Sequence, residues 1–240
     1  MLDYTKLKSN RRRFLALTGL TSKEFHALLP AFDEAYKRRY EGPKTLAGQK
    51  RQRPVGSGRQ GMLTTIAQKL LFILVYQKTY PVQVVQGELF GMGQSSANEW
   101  IHRLLPVLSE ALTALGVMPE RDGRQFADSQ RRKPEPSEYI IDGTERRRQR
   151  PKVPEKQTLH YSGKKKTHSD KNLVIINRKS QQVSYLSPTY AGKTHDKKIA
   201  DVEAIAYPRH AVLHKDTGFQ GYEPKGCRCH QPKKSRGAKN

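Results

Sequence analysis

The sequence predicts an α+β protein, with an all-helical N-terminal region followed by a strand-bearing C-terminal one. Three observations carry this. Through about residue 118 apolar residues recur at the spacing of one helix face. Beyond Glu138 they fall into short runs bounded by turn residues, the habit of strands. Between the two, residues 119–138 are polar, charged and proline-containing, ending in Arg131-Arg132-Lys133-Pro134-Glu135-Pro136. The organisation that follows is an N-terminal helix and basic linker over 1–61, a helical region over 62–118, a linker over 119–138, and a strand-bearing domain over 139–240.

Thr21-Ser22-Lys23-Glu24 has the form of a capping box, and Phe25, Leu28, Leu29, Phe32 and Tyr36 follow on one face, so a helix runs from about 22 to 39. Residues 42–61 are rich in glycine, proline and cations and have no face to bury, which predicts a mobile basic arm suited to phosphates. Ile66, Leu70, Leu71, Ile73 and Leu74 restore the helical period up to about Tyr80. Pro81 suits the first position of a second helix through Val84, Val85, Leu89 and Phe90. After the break Gly91-Met92-Gly93-Gln94, Ser96-Ala97-Asn98-Glu99 reads as a further capping box, opening a third helix with Trp100, Ile101, Leu104 and Leu105 inward. Two helices across a glycine turn make a helix-turn-helix candidate, whose recognition helix exposes Asn98, His102 and Arg103 to base edges or phosphates. A plain helical bundle would use the same turn.

In the second half, Tyr139–Asp142, Leu173–Asn177 and Val183–Leu186 read as strands, with a turn at Arg178–Gln181 between the last two; Asp196–Ile205 reads as a helix and Ala211–Leu213 as a returning strand. A strand, an antiparallel hairpin, a crossover helix and a returning strand can set the first and last strands parallel and adjacent. Asp142 and Asp216, each at the end of an apolar run, are then neighbours. Paired carboxylates on rigid elements hold hard divalent cations, and such sites cleave and join phosphodiesters. The competing reading is an aspartate that caps the turn after its strand.

Charge points the same way. The 240 residues carry a formal net charge of +23 with only 35% hydrophobic residues, and a polyanion is the partner that relieves such self-repulsion. No apolar run approaches a membrane span and no secretory signal is seen, so membrane binding is not expected. Two cysteines make no disulfide framework, which suits a reducing cytoplasm and the nucleoid. Arg146, Arg147 and Arg148, and Lys164, Lys165 and Lys166, are nearly uncompensated runs placed to meet phosphates near the acidic pair. His160, His168 and His195 read as structural, and Asp196 as a helix-dipole partner. Cys227-Arg228-Cys229-His230 is a weak zinc signal, with three ligand types in one tight segment.

Five segments together resemble the DDE transposases of bacterial insertion sequences, in the group related to Harbinger elements: Tyr139-Ile-Ile-Asp142-Gly-Thr-Glu145, His160-Tyr-Ser-Gly-Lys-Lys-Lys-Thr-His168, Lys171–Asn177, Tyr190-Ala-Gly-Lys-Thr-His-Asp196, and Leu213-His-Lys-Asp216-Thr-Gly-Phe-Gln-Gly-Tyr222. The helical segment Leu63–Leu112 is similar to the helix-turn-helix that precedes their catalytic domain. The resemblance implies an incomplete RNase H-like catalytic domain, a Mg²⁺ or Mn²⁺ pair, and double-stranded DNA partners, namely the element's terminal inverted repeats and its target; homo-oligomerisation is left open. Asp142 and Asp216 match the first two acidic ligands. The third, a glutamate on a later helix, has no match, since the only acidic residue past Asp216 is Glu223, beside Pro224. The expectation is a C-terminally shortened transposase with little cleavage of its own, or a DNA-binding fragment that occupies element ends and restrains transposition.

Overall fold

The computed structural model describes residues 1–43, 48–50, 52, 61–130 and 138–232. Most of the expected basic arm at 42–61 and the run Arg131–Pro136 lie outside them. The chain divides into two compact units, Met1–Val117 and Met118–Asn240.

The first unit is helical: α1 (Tyr4–Leu7), α2 (Arg11–Thr18), α3 (Ser22–Tyr40), α4 (Ile66–Thr79), α5 (Gln83–Phe90) and α6 (Gln94–Ala114). The capping box forms at α3, with the Glu24 backbone N–H donating to Thr21 Oγ1 and the Thr21 backbone N–H to Glu24 Oε2. α3 buries Phe25, Leu28, Phe32, Ala35 and Tyr36. α4 is buried on all sides from Gln68 to Val75, as a helix at the centre of a bundle must be. α6 contributes Ala97, Ile101, Leu104, Val107, Leu108 and Ala111.

Two helix starts differ from expectation. α5 begins at Gln83 after an extended Val82, so Pro81 stands outside it. α6 begins at Gln94 after Gly93, with no side-chain cap, so Ser96 is a helical residue and Ser96–Glu99 is no capping box. The turn decides both. Gly91 ends α5 at φ 70°, a left-handed conformation that glycine adopts without strain, and the chain re-enters helix within three residues.

The second unit is a sheet with helices. Its strands are β1 (Glu138–Arg147), β2 (Tyr161–Ser162), β3 (Thr167–Asn177), β4 (Val183–Leu186), β5 (Tyr190–Ala191), β6 (Ala211–Lys215) and β7 (Cys227–His230). Helices α7 (Phe126–Gln130), α8 (Pro154–His160) and α9 (Asp196–Glu203) join them. The order is β2-β3-β1-β6-β7, with β4 and β5 also paired to β3. β1 is antiparallel to β3 and parallel to β6, and β7 is parallel to β6.

One face of this sheet is closed. Tyr139, Ile141, Leu173, Ile175, Ala211 and Leu213 pack with Ile199 and Ala200 of α9 and with Phe219. The stretch read as a linker also contributes: Phe126 of α7 is fully buried against the rings of Tyr139, Tyr185 and Tyr207. Its apolar ring outweighs the polar composition around it. Among the described residues no helix is long and apolar enough to cross a membrane.

Candidate active site

β1 is longer than its apolar run. It continues through the cationic residues to Arg147 because β3 pairs with it as far as Arg147 opposite Ser169. Asp142 therefore lies in mid-strand rather than at a strand tip. Asp216 does follow its strand directly.

The parallel β1–β6 register runs from Glu138 opposite Val212 to Ile141 opposite Lys215, so one further step sets Asp142 beside Asp216. Because side chains alternate along a strand, both aspartates share a face with Ile140 and His214 and avoid the face of Ile141 and Lys215. Both carboxylates are exposed and border one shallow groove of about 620 Å³, together with Ile140, His214, His230 and Gln231. Asp142 Oδ1 accepts the N–H of the next strand residue, Gly143, at 2.7 Å, and Asp216 Oδ1 accepts the Gly218 N–H at 2.9 Å, so only Asp216 caps a turn. No described residue donates to the second oxygen of either. The local hydrogen bond thus takes one oxygen of each carboxylate and leaves the other facing the groove. The donors are hard oxygens, the set that Mg²⁺ or Mn²⁺ takes and that suits soft metals poorly.

The surroundings are held by ion pairs. His214 Nε2 and Arg178 Nη1 approach Glu138 Oε2 at 3.2 and 2.6 Å, and these hydrogen bonds, Arg178 first, lower the Glu138 carboxyl from its ordinary value. The His214 and His230 rings stack with centroids 5.3 Å apart. Beneath Asp216, the buried Lys215 ammonium donates to Tyr222 O and to Glu223 Oε1 at 2.6 Å, which ties down the segment after β6. Glu223 is thereby engaged with a lysine on the far face of β6. Among the described residues no three His, Cys, Asp or Glu side chains come together as a metal cluster.

That also corrects the zinc signal. Strand alternation turns Cys227 and Cys229 to one side of β7 and His230 to the other, beside His214. Burial and the neighbouring Cys229 push the Cys227 thiol up to about 12.

The basic residues separate into groups. Arg146 lies on the Asp142 face, four residues and so roughly 13 Å further along β1, where it donates to Asn172 Oδ1 at 2.8 Å. Arg147 is exposed on the opposite face, and Arg148 pairs with Asp170 at 2.8 Å beside His160. Lys164, Lys165 and Lys166 are exposed in the β2–β3 turn. Of the expected reading residues, His102 and Arg103 are exposed on α6 and Asn98 is half-buried. Arg103 is braced over the rings of Trp100 and Tyr40, at 5.0 and 5.3 Å from their centroids.

A second constellation escaped the sequence. Lys171 of β3 is buried and pairs with Glu145 of β1 at 3.3 Å and Asp196 of α9 at 3.0 Å, while donating to Thr194 O at 2.9 Å. Burial raises the Glu145 carboxyl, but hydrogen bonds from Ser162, Lys171 and Ser169 and the Lys171 charge outweigh it and leave it low. Asp196 sits so close to β1 that a Cβ at Gly143 would come within 2.4 Å of its Oδ1 and would displace that carboxylate from Lys171. The only available signal was the alternation of β1, which puts Glu145 on the face opposite Asp142. His195 caps α9 and is exposed.

Residues 141–239 match the family model described as DDE superfamily endonuclease, and residues 62–114 match the helix-turn-helix of DDE superfamily endonuclease. No curated protein and no solved structure matches the chain.

Proposed function

We propose, for a chain that belongs to the DDE superfamily of transposase endonucleases, that the helical unit recognises the terminal inverted repeats of an insertion sequence and that Asp142 and Asp216 form its cleavage centre. The observation that carries this is the pair itself: two aspartates one register step past the last β1–β6 partners, on one face, each with an uncommitted oxygen. Asp142 and Asp216 would hold Mg²⁺ or Mn²⁺, which supplies an activated water or 3′-hydroxyl as nucleophile for phosphodiester cleavage and strand transfer. The chain's own part is to orient. β1 and β6 keep the carboxylates adjacent, and Arg146 on the same face meets the backbone of the bound strand. Asn98, His102 and Arg103 contact DNA from α6, and Arg147, Arg148 and Lys164–Lys166 extend phosphate contact over the sheet unit. A parallel β1–β6 pair beside an antiparallel β3 is consistent with an RNase H-like reading. The nucleoid is where such a protein works.

One observation favours a second reading. With two carboxylates in the groove and no third acidic group joining them among the described residues, metal binding is weak, and this polypeptide occupies element ends more than it cuts them.

Incubation of the protein with a labelled terminal-repeat duplex and Mn²⁺ separates the two. Nicking that disappears in Asp142→Ala and Asp216→Ala supports the cleavage centre. A gel shift without nicking supports the occupying role. Equal binding of repeat and scrambled duplex, compared across a salt series because phosphate contacts dominate at low salt, would sink both.

A further inference from the structure

On the face of the sheet away from Asp142 a cleft of about 850 Å³ opens, within the size range of small-ligand sites. Its charge is layered. The floor is the Glu145–Lys171–Asp196 network, two carboxylates around one ammonium, and so keeps an excess negative charge. The rim carries the exposed ammonium groups of Lys164 and Lys193, and Tyr161, 42% exposed, stands in its wall. A ligand that fits this layering has an anionic group at the rim, a flat ring against Tyr161 and a hydrogen-bond donor at the inner end. A phosphate cannot be the inner group, because the floor repels it. The cleft also reaches Gly218, in the turn that Asp216 caps from the opposite face.

We propose that this cleft takes one unpaired nucleotide of the bound DNA. Its phosphate rests on Lys164 and Lys193, its base stacks on Tyr161, and the exocyclic amine of an adenine, cytosine or guanine is directed at the anionic floor. The inference rests on the DNA-binding reading above and adds a strand-separated state to it. A duplex is too wide for the cleft, and a paired base has its amine committed to its partner. Opening the pair has a cost, least where the base is mismatched or already unpaired. The cleft therefore selects frayed DNA.

The test is fluorescence anisotropy with the full chain and one repeat duplex in three forms: blunt, with a short unpaired adenine arm, and with an equal thymine arm. The adenine arm is expected to bind about tenfold tighter than the blunt end, in keeping with one stacked base, and the thymine arm clearly less. Tyr161→Ala and Lys193→Gln should each remove most of that gain while the melting temperature stays unchanged. Lys179→Gln, which removes a cation from the β3–β4 turn outside the cleft, should leave the gain in place. Equal gain for adenine and thymine arms, a gain that survives both cleft substitutions, or one lost equally in Lys179→Gln overturns the proposal. Loss of preference for repeat over scrambled duplex, with the arm effect intact, would count against the recognition reading and not against the cleft.

Discussion

Ile140 and Ile141 are adjacent residues of one strand, yet Ile141 is 1% exposed and Ile140 37%. The difference belongs to the two faces of the sheet. The inner face carries Tyr139, Ile141, Leu173, Ile175 and Leu213 in a closed core, and it holds the fold together. The outer face carries Ile140, Asp142, His214 and the exposed Val183, and it presents chemistry to solvent. Burial that stabilises and the exposure that the proposed metal and DNA contacts need are incompatible at one position. Strand alternation lets β1 serve both, one residue apart.

The largest effect that would break this comparison comes from the ionic part of the inner face. Lys171→Met leaves the partly buried Glu145 and Asp196 without their shared cation, and a loss toward the low end of about 3–5 kcal/mol is expected by chemical denaturation. A loss below about 1 kcal/mol would show that the three charges are solvated and not part of the fold. Next comes the neighbouring pair itself. Ile141→Ala should cost about 2–5 kcal/mol through the cavity it leaves, whereas Ile140→Ala should cost under about 1 kcal/mol. Equal costs would mean that the outer face is covered in solution.

A smaller effect appears at alkaline pH. The Cys227 thiol is raised from 9.0 to about 12 by burial and by Cys229, so the folded state holds its proton more tightly than the unfolded chain does. That contribution is fully present below pH 9 and is lost as pH rises toward about 12. Melting curves taken across this window should fall less steeply for Cys227→Ala than for the parent protein; parallel curves would refute the inward placement of the thiol. The smallest effect on stability is expected at the carboxylates. Asp142→Asn and Asp216→Asn should move unfolding by no more than about 0.5 kcal/mol, while abolishing any Mn²⁺-induced rise in melting temperature. A metal-induced rise that persists in both would place the ion elsewhere.

Local pattern made a large part of this protein legible. The capping box at Thr21, the span of β4 at Val183–Leu186 and the start of α9 at Asp196 each follow from neighbours within a few residues, and the structure has them at those positions. The expected return of the last strand parallel to the first is also present, since β1 pairs with β6. Misread were a turn that overrides a nearby capping signal and a ring that distant partners bury. α6 starts at Gln94 because the turn after Gly91 sets its entry, against the local lure of Ser96 and Glu99. Phe126 looked like part of a polar linker because its three aromatic neighbours come from as far along the chain as Tyr207.

The sequence by itself determined the two-part α+β plan, the cationic character and the two aspartates that close their apolar runs, because periodicity, charge and turn chemistry are local properties. Only the tertiary structure decided that β1 runs on past Asp142, that Asp142 and Asp216 come into step on the exposed face, and that Glu145, Lys171 and Asp196 meet behind them. Those outcomes depend on pairing register and on the packing of α9, in which segments tens of residues apart set one another's positions.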